Sequence, residues 1–143
     1  MVKLRAEAQL GTGLSCKVAT GKAVVEAGLH PATGGSGDLA CSGDLLLESL
    51  AACFGVTLKA VATVISVPIE EGTVTAEGDL DFRGTLGVSK EVPVGFSAIR
   101  LKVKLKTSAA PEQVDKLLSL AERYCVVAQT LRRPPSISVE KTA

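Results

Sequence analysis

The stretch from Asp44 to about Ile65 constrains this chain more than any other. After the acidic residue at its start only Glu48 and Lys59 carry charge, and Leu, Ala, Val and Phe make up much of the rest. An apolar run of this length is too long for a strand and reads as one continuous helix. Ser42 stands where a side-chain cap belongs, and Asp44 is placed to meet the positive end of the helix dipole. A helix this apolar is expected to be buried on most of its circumference, unless it crosses a membrane. The two charges, and the alternating strands on either side of it, argue for burial in protein, so no membrane partner is expected. A subunit of 143 residues has few elements with which to cover such a helix. Burial by a second copy follows, and a homodimer is the expectation.

The flanking segments read as strands. Val2, Leu4, Ala6, Ala8 and Leu10 alternate with Lys3, Arg5, Glu7 and Gln9, the period of a half-buried strand. The runs 14–19 and 23–29 flank the turn-prone Thr20-Gly21 and are placed to form a hairpin with the first strand. Residues 30–43 are rich in Gly, Pro, Ser and Thr and read as a loop. After Pro68, Val74, Ala76, Leu80 and Phe82 mark another strand, and Ile99, Leu101, Val103 and Leu105 a further one. The Gly- and Pro-containing connection 84–96 suits an antiparallel pair. Pro111 opens a second helix ending near Tyr124, with Val114, Leu117, Leu118 and Ala121 at helical spacing. A short apolar stretch, 126–131, follows, and Ile137 and Val139 suggest a closing edge strand. The order, strands, long helix, strands, helix, strand, is that of an α+β protein with one domain spanning residues 1–143.

Composition narrows the function classes. Sixteen basic against fifteen acidic residues leave a net charge of +1, which gives nucleic acid no electrostatic footprint. The first ten residues lack the basic start and continuous apolar run of a signal peptide, so the cytoplasm is the expected location. Cys16, Cys41, Cys53 and Cys125 are scattered, with no Cys-x-x-Cys pair and a single histidine, His30, so neither a zinc site nor another cofactor is expected. A structural disulfide is not expected in a reducing compartment, which leaves each thiol as a core residue or a redox group.

Two of the four thiols lie in recognisable settings. Cys53 follows Asp44-Leu45-Leu46-Leu47-Glu48-Ser49-Leu50-Ala51-Ala52 midway along the long helix, and Cys125 ends the second helix and opens a Cys-x-x-x-x-x-Leu segment running to Leu131. With an intervening strand pair and a separation of 72 residues, these two motifs resemble those of the OsmC/Ohr family, and the likeness extends over nearly the whole chain.

The resemblance implies an OsmC-like fold, antiparallel sheets with a long buried central helix in an intertwined homodimer. It implies a thiol-dependent peroxidase acting on organic hydroperoxides in the stress response. In this reading Cys53 attacks the peroxide and becomes a sulfenic acid, and Cys125 resolves it to a disulfide. An external dithiol, for the family often a lipoyl group, then resets the pair. The family's activating Arg comes from the region before the helix, and here no Arg lies between Arg5 and Arg83. Gly43 occupies the position of the Ohr glutamate and Asp44 the acidic position of the broader OsmC-like branch. Lys22, Arg83, Arg132 and Arg133 read as solvated surface charges, as does Glu48. His30 reads as a loop residue, Cys41 as a spectator thiol with an alternative as disulfide partner, and Cys16 as an apolar filler. A second reading is an OsmC-like protein that binds a small molecule with little peroxidase activity. A third is a structural dimerisation module with incidental cysteines.

Overall fold

A computed structural model describes residue 3 and residues 5–10, 15–19 and 24–142 of the chain. Among the described residues five strands and four α-helices follow in the order β1 (Glu7–Leu10), β2 (Ser15–Ala19), β3 (Val24–Gly28), α1 (Ser42–Val64), β4 (Glu71–Asp79), α2 (Phe82–Thr85), β5 (Ala98–Lys106), α3 (Pro111–Tyr124) and α4 (Val126–Arg132). The chain divides into two compact units, Met1–Leu47 with Gly78–Ile99, and Glu48–Glu77 with Arg100–Ala143. The mixed α+β class and the antiparallel pairing expected from the sequence are both present.

In the first unit β1, β2 and β3 form an antiparallel meander in which Cys16 stands opposite Leu10 on one side and Ala27 on the other. The first strand begins at Glu7, and the Thr20-Gly21 turn lies outside the described residues. The loop after β3 contains a 3-10 turn, Pro31–Thr33, closed by Gly34 in the left-handed region at φ 99°. Gly28 donates to the Ala40 carbonyl at 3.0 Å, tying the far end of this loop back to β3.

α1 begins one residue earlier than a Ser42 cap requires. Leu45 N–H bonds the Cys41 carbonyl, so Cys41 is the flanking residue and Ser42 the first helical one. The Asp44 carboxylate accepts from the Cys41 N–H at 3.2 Å, satisfying a donor that the helix itself leaves unpaired. In the second unit Leu50, Phe54, Leu58 and Ala62, spaced by four, form the buried stripe of α1. Burial on most of the circumference is not met within this chain, since Val56 and Val64 are 72% and 82% exposed. α1 also has the length and mean hydropathy, 1.7, of a membrane-crossing helix. Its stripe is instead packed in protein, where each large apolar side chain fully removed from water contributes about 1.5–3 kcal/mol.

The C-terminal end of α1 closes on itself. Ser66 takes a left-handed φ of 58°, Ser66 N–H reaches the Thr63 carbonyl, and Val67 N–H reaches the Ala62 carbonyl at 2.9 Å. That crossed pair is a Schellman motif with serine where glycine is usual, followed by the buried Val67.

β4 and β5 pair with each other, with Glu70 N–H bonded to the Lys106 carbonyl at one end and Ser97 N–H to the Asp79 carbonyl at the other, an antiparallel arrangement. Along β5 half-buried Ile99, Leu101, Val103 and Leu105 alternate with exposed Arg100, Lys102, Lys104 and Lys106, as the sequence pattern predicts. Lys102 pairs with Glu77 at 2.8 Å. β4 runs from Glu71 to Asp79, so Leu80 and Phe82 fall beyond it, and the connection to β5 contains α2. The edge strand expected at Ile137 and Val139 does not form. Residues 134–142 have no regular structure, and these two side chains are 88% and 97% exposed, with no ladder partner among the described residues to offset the entropy of ordering them.

Candidate functional site: a thiol pair at a broken helix

Both thiols singled out by the sequence lie in the second unit, and they meet there. Leu117, Ala121 and Cys125 have no exposed surface, which anchors α3 by one face and carries Cys125 into the core. Cys125 is extended (φ −73°, ψ 111°) and is at once the C-cap of α3 and the N-cap of α4. A helical ψ is near −42°, so this one residue separates α3 from α4, at the point where the sequence pattern ends the second helix. The break frees the first amides of α4 from α3.

Those amides face sulfur. The half-buried Cys53 thiol has around it, as the donors that act on it, the N–H groups of Val127 and Val126, the Cys125 thiol and the Thr57 hydroxyl one helical turn further along α1. Burial pushes the Cys53 thiol up, but the Val127 N–H, the Cys125 thiol, the Val126 N–H and the Thr57 hydroxyl together outweigh it and hold it below the ordinary thiol value. Cys125 moves the other way. Burial pushes it up and the Ala128 N–H opposes this, while bonding to Cys53 and the nearby Cys53 charge push it further up. The two thiols are thus polarised in opposite senses: amide, thiol and hydroxyl donors draw Cys53 toward thiolate, while burial and the Cys53 charge hold Cys125 as the thiol. Both are reduced.

The remaining candidates lie elsewhere. Cys41 and His30 belong to the first unit, where they border an apolar cavity of about 510 Å³ with Leu80, Phe82 and Phe96. His30 Nδ1 accepts from the Ala32 N–H at 3.1 Å, and its ring stacks on Phe82 with centroids 4.9 Å apart. Asp44 serves the start of α1, as the sequence suggests, and Glu48 is exposed. Arg83 is forked onto Asp81 at 2.6 Å, which holds the Asp81 carboxyl below its ordinary value and the guanidinium above its own. Arg132 pairs with Glu122. Lys22 and the side chain of Cys16 lie outside the described residues. A second cavity, about 540 Å³, lies beside α1 in the second unit against Ala52, Val56, Val74 and Leu105, and neither thiol of the pair lines it.

Sequence reasoning misses the donors on Cys53. Thr57 carries a usable signal, since a spacing of four from Cys53 puts both on one helix face. The Val126 and Val127 amides carry none, because every residue but proline has one.

An α+β chain with paired, oppositely polarised thiols is the class that fold and site define. The family model for OsmC-like protein matches residues 35–140, and the chain belongs to this family. Solved structures share its fold. An OsmC-like protein from Mycoplasma pneumoniae superposes with a TM-score of 0.81 at 16% identity, over 93% of this chain and 89% of that one. An organic hydroperoxide resistance protein from Elizabethkingia anophelis, with thiocyanate bound, gives 0.74 at 21% identity, over 94% and 91%. The organic hydroperoxide resistance protein OsmC from Legionella pneumophila gives 0.66 at 20%, over 93% and 91%. Sequence comparison with curated proteins finds no match.

Proposed function

We propose that this chain is a thiol peroxidase that reduces organic hydroperoxides, with Cys53 as the attacking and Cys125 as the resolving thiol. The observation that carries the reading is the contact between the two sulfurs together with their opposite polarisation. A thiolate is the nucleophile, so the thiol lowered by Val127, Val126, Thr57 and Cys125 is the one suited to attack. It takes the distal peroxide oxygen as the O–O bond breaks, the alkoxide leaves with a proton as an alcohol, and Cys53 becomes a sulfenic acid. That product is neutral. The negative charge that helped to hold Cys125 protonated is then gone, so Cys125 ionises more readily at the step that needs it. Its sulfur attacks Cys53, water leaves, and a disulfide forms. An external dithiol returns two electrons by exchange and restores both thiols.

The exposed Val56 and Val64 on α1 support the homodimer, in which a second copy covers this helix. Stopped-flow mixing of the reduced protein with an organic hydroperoxide and with hydrogen peroxide tests the function. Rapid loss of two thiols, faster with the organic peroxide, is expected. Four intact thiols after exposure to both would leave the small-molecule-binding reading, to which the apolar cavity beside α1 would then belong.

A further inference from the structure

In an unbroken helix the Val126 N–H would bond the carbonyl of Glu122, four residues earlier. The extended ψ of 111° at Cys125 turns that N–H off the helix line, toward the side where it acts as a donor on Cys53. The Glu122 carbonyl then needs another donor. It has one in the side chain of Gln129, whose Nε2 donates to it at 2.9 Å across the break. The Gln129 backbone N–H simultaneously bonds the Cys125 carbonyl at 3.0 Å, so this residue grips both sides of the junction.

We propose that Gln129 is a positioning residue for Cys53: by taking the place of Val126 on the Glu122 carbonyl, its carboxamide holds α3 and α4 apart and keeps the Val126 N–H on the sulfur. Without that donor, the junction gains by returning Cys125 to a helical ψ, which keeps the Gln129 N–H on the Cys125 carbonyl, since a half-buried carbonyl left unpaired costs about 1–3 kcal/mol. The Val126 N–H would then return to Glu122 and Cys53 would lose one of its partners. Among the groups in contact with Cys53, Cys125 is the one that titrates, and the charged Glu122 and Arg132 beside the junction pair with each other. For catalysis the inference rests on Cys53 as the attacking thiol.

The test uses the full-length reduced protein and iodoacetamide, with alkylation of the Cys53 peptide followed by mass spectrometry across pH. Gln129→Met and Gln129→Glu keep the side-chain length and lack the donor. Both are expected to slow Cys53 alkylation at neutral pH by roughly three- to tenfold, the worth of about one hydrogen bond. The inflection moves to higher pH and the rate at the alkaline plateau is kept. Arg132→Met, which cuts the exposed ion pair also joining α4 to α3, leaves the profile in place. An unmoved profile in both Gln129 variants overturns the proposal. So does an equal loss at every pH, the same shift in Arg132→Met, or loss of the folded state in both Gln129 variants by circular dichroism. Because no peroxide is used, a wild-type protein that alkylates with a low inflection yet consumes no hydroperoxide would sink the peroxidase reading alone.

Discussion

Two helix ends in the same compact unit solve the same problem in opposite ways. α1 stops at Ser66 by folding its last amides back onto its own carbonyls, so that Val67 and Ser66 leave no donor to spare. α3 stops at Cys125 by extending one residue, and the amides that follow point at sulfur. The first end is structural, and it accepts a non-glycine residue in a left-handed conformation that costs about 1–2 kcal/mol. The second directs backbone donors at a reactive group. A chain end that satisfies itself only terminates a helix, whereas one that leaves its donors free can build a site from backbone alone.

The sharpest break in this comparison comes from removing the sulfur that the second end serves. Cys53→Ser is expected to lower single-turnover hydroperoxide consumption by more than about a thousandfold, as loss of a nucleophile does. Cys125→Ser should keep the first oxidation, lose turnover, and leave a sulfenic acid that dimedone traps. Equal single-turnover losses in the two variants would show that the sulfurs do not divide the roles.

A smaller effect concerns the donors themselves. The Cys125 thiol is one of the partners that lower Cys53, after burial and the Val127 N–H in weight. Cys125→Ala removes it, so the pH at which Cys53 begins to alkylate should rise, with a several-fold slower reaction at neutral pH. Cys125→Ser retains a hydroxyl donor and should fall between alanine and the native thiol. A profile unchanged in Cys125→Ala would mean that the amides and Thr57 set Cys53 without it.

The smallest effect tests the other helix end. Ser66→Gly relieves the left-handed strain and should raise stability in urea by about 0.5–1 kcal/mol, less than the full strain because glycine gains entropy in the unfolded chain. It should leave the Cys53 alkylation profile where it is. A shift in that profile would show that the two ends are coupled.

How much of this is legible in the sequence follows from where the signals reside. Side-chain periodicity places β5, the body of α1 and α3, because alternating Ile99 to Leu105 and the spacing of Leu117 and Ala121 report burial directly. It fails at α4, where Val126, Val127 and Ala128 form a run too short to choose a period. It fails at Ile137 and Val139 because alternation requires a partner strand to have meaning. Cys53 and Cys125 are visible through their motifs. Of what lowers Cys53, Cys125 and Thr57 leave a trace in the sequence, while the Val126 and Val127 amides carry no residue identity.

The measurement closest to the central claim is peptide mapping after mild oxidation of the reduced protein by an organic hydroperoxide. A Cys53–Cys125 bond needs Cα atoms within about 7 Å, and sulfurs already in hydrogen-bond contact are placed to form it. The expected product is an intrachain Cys53–Cys125 disulfide, reversed by a dithiol, with Cys16 and Cys41 free. A Cys41–Cys53 bond in its place, or four free thiols, would contradict the account.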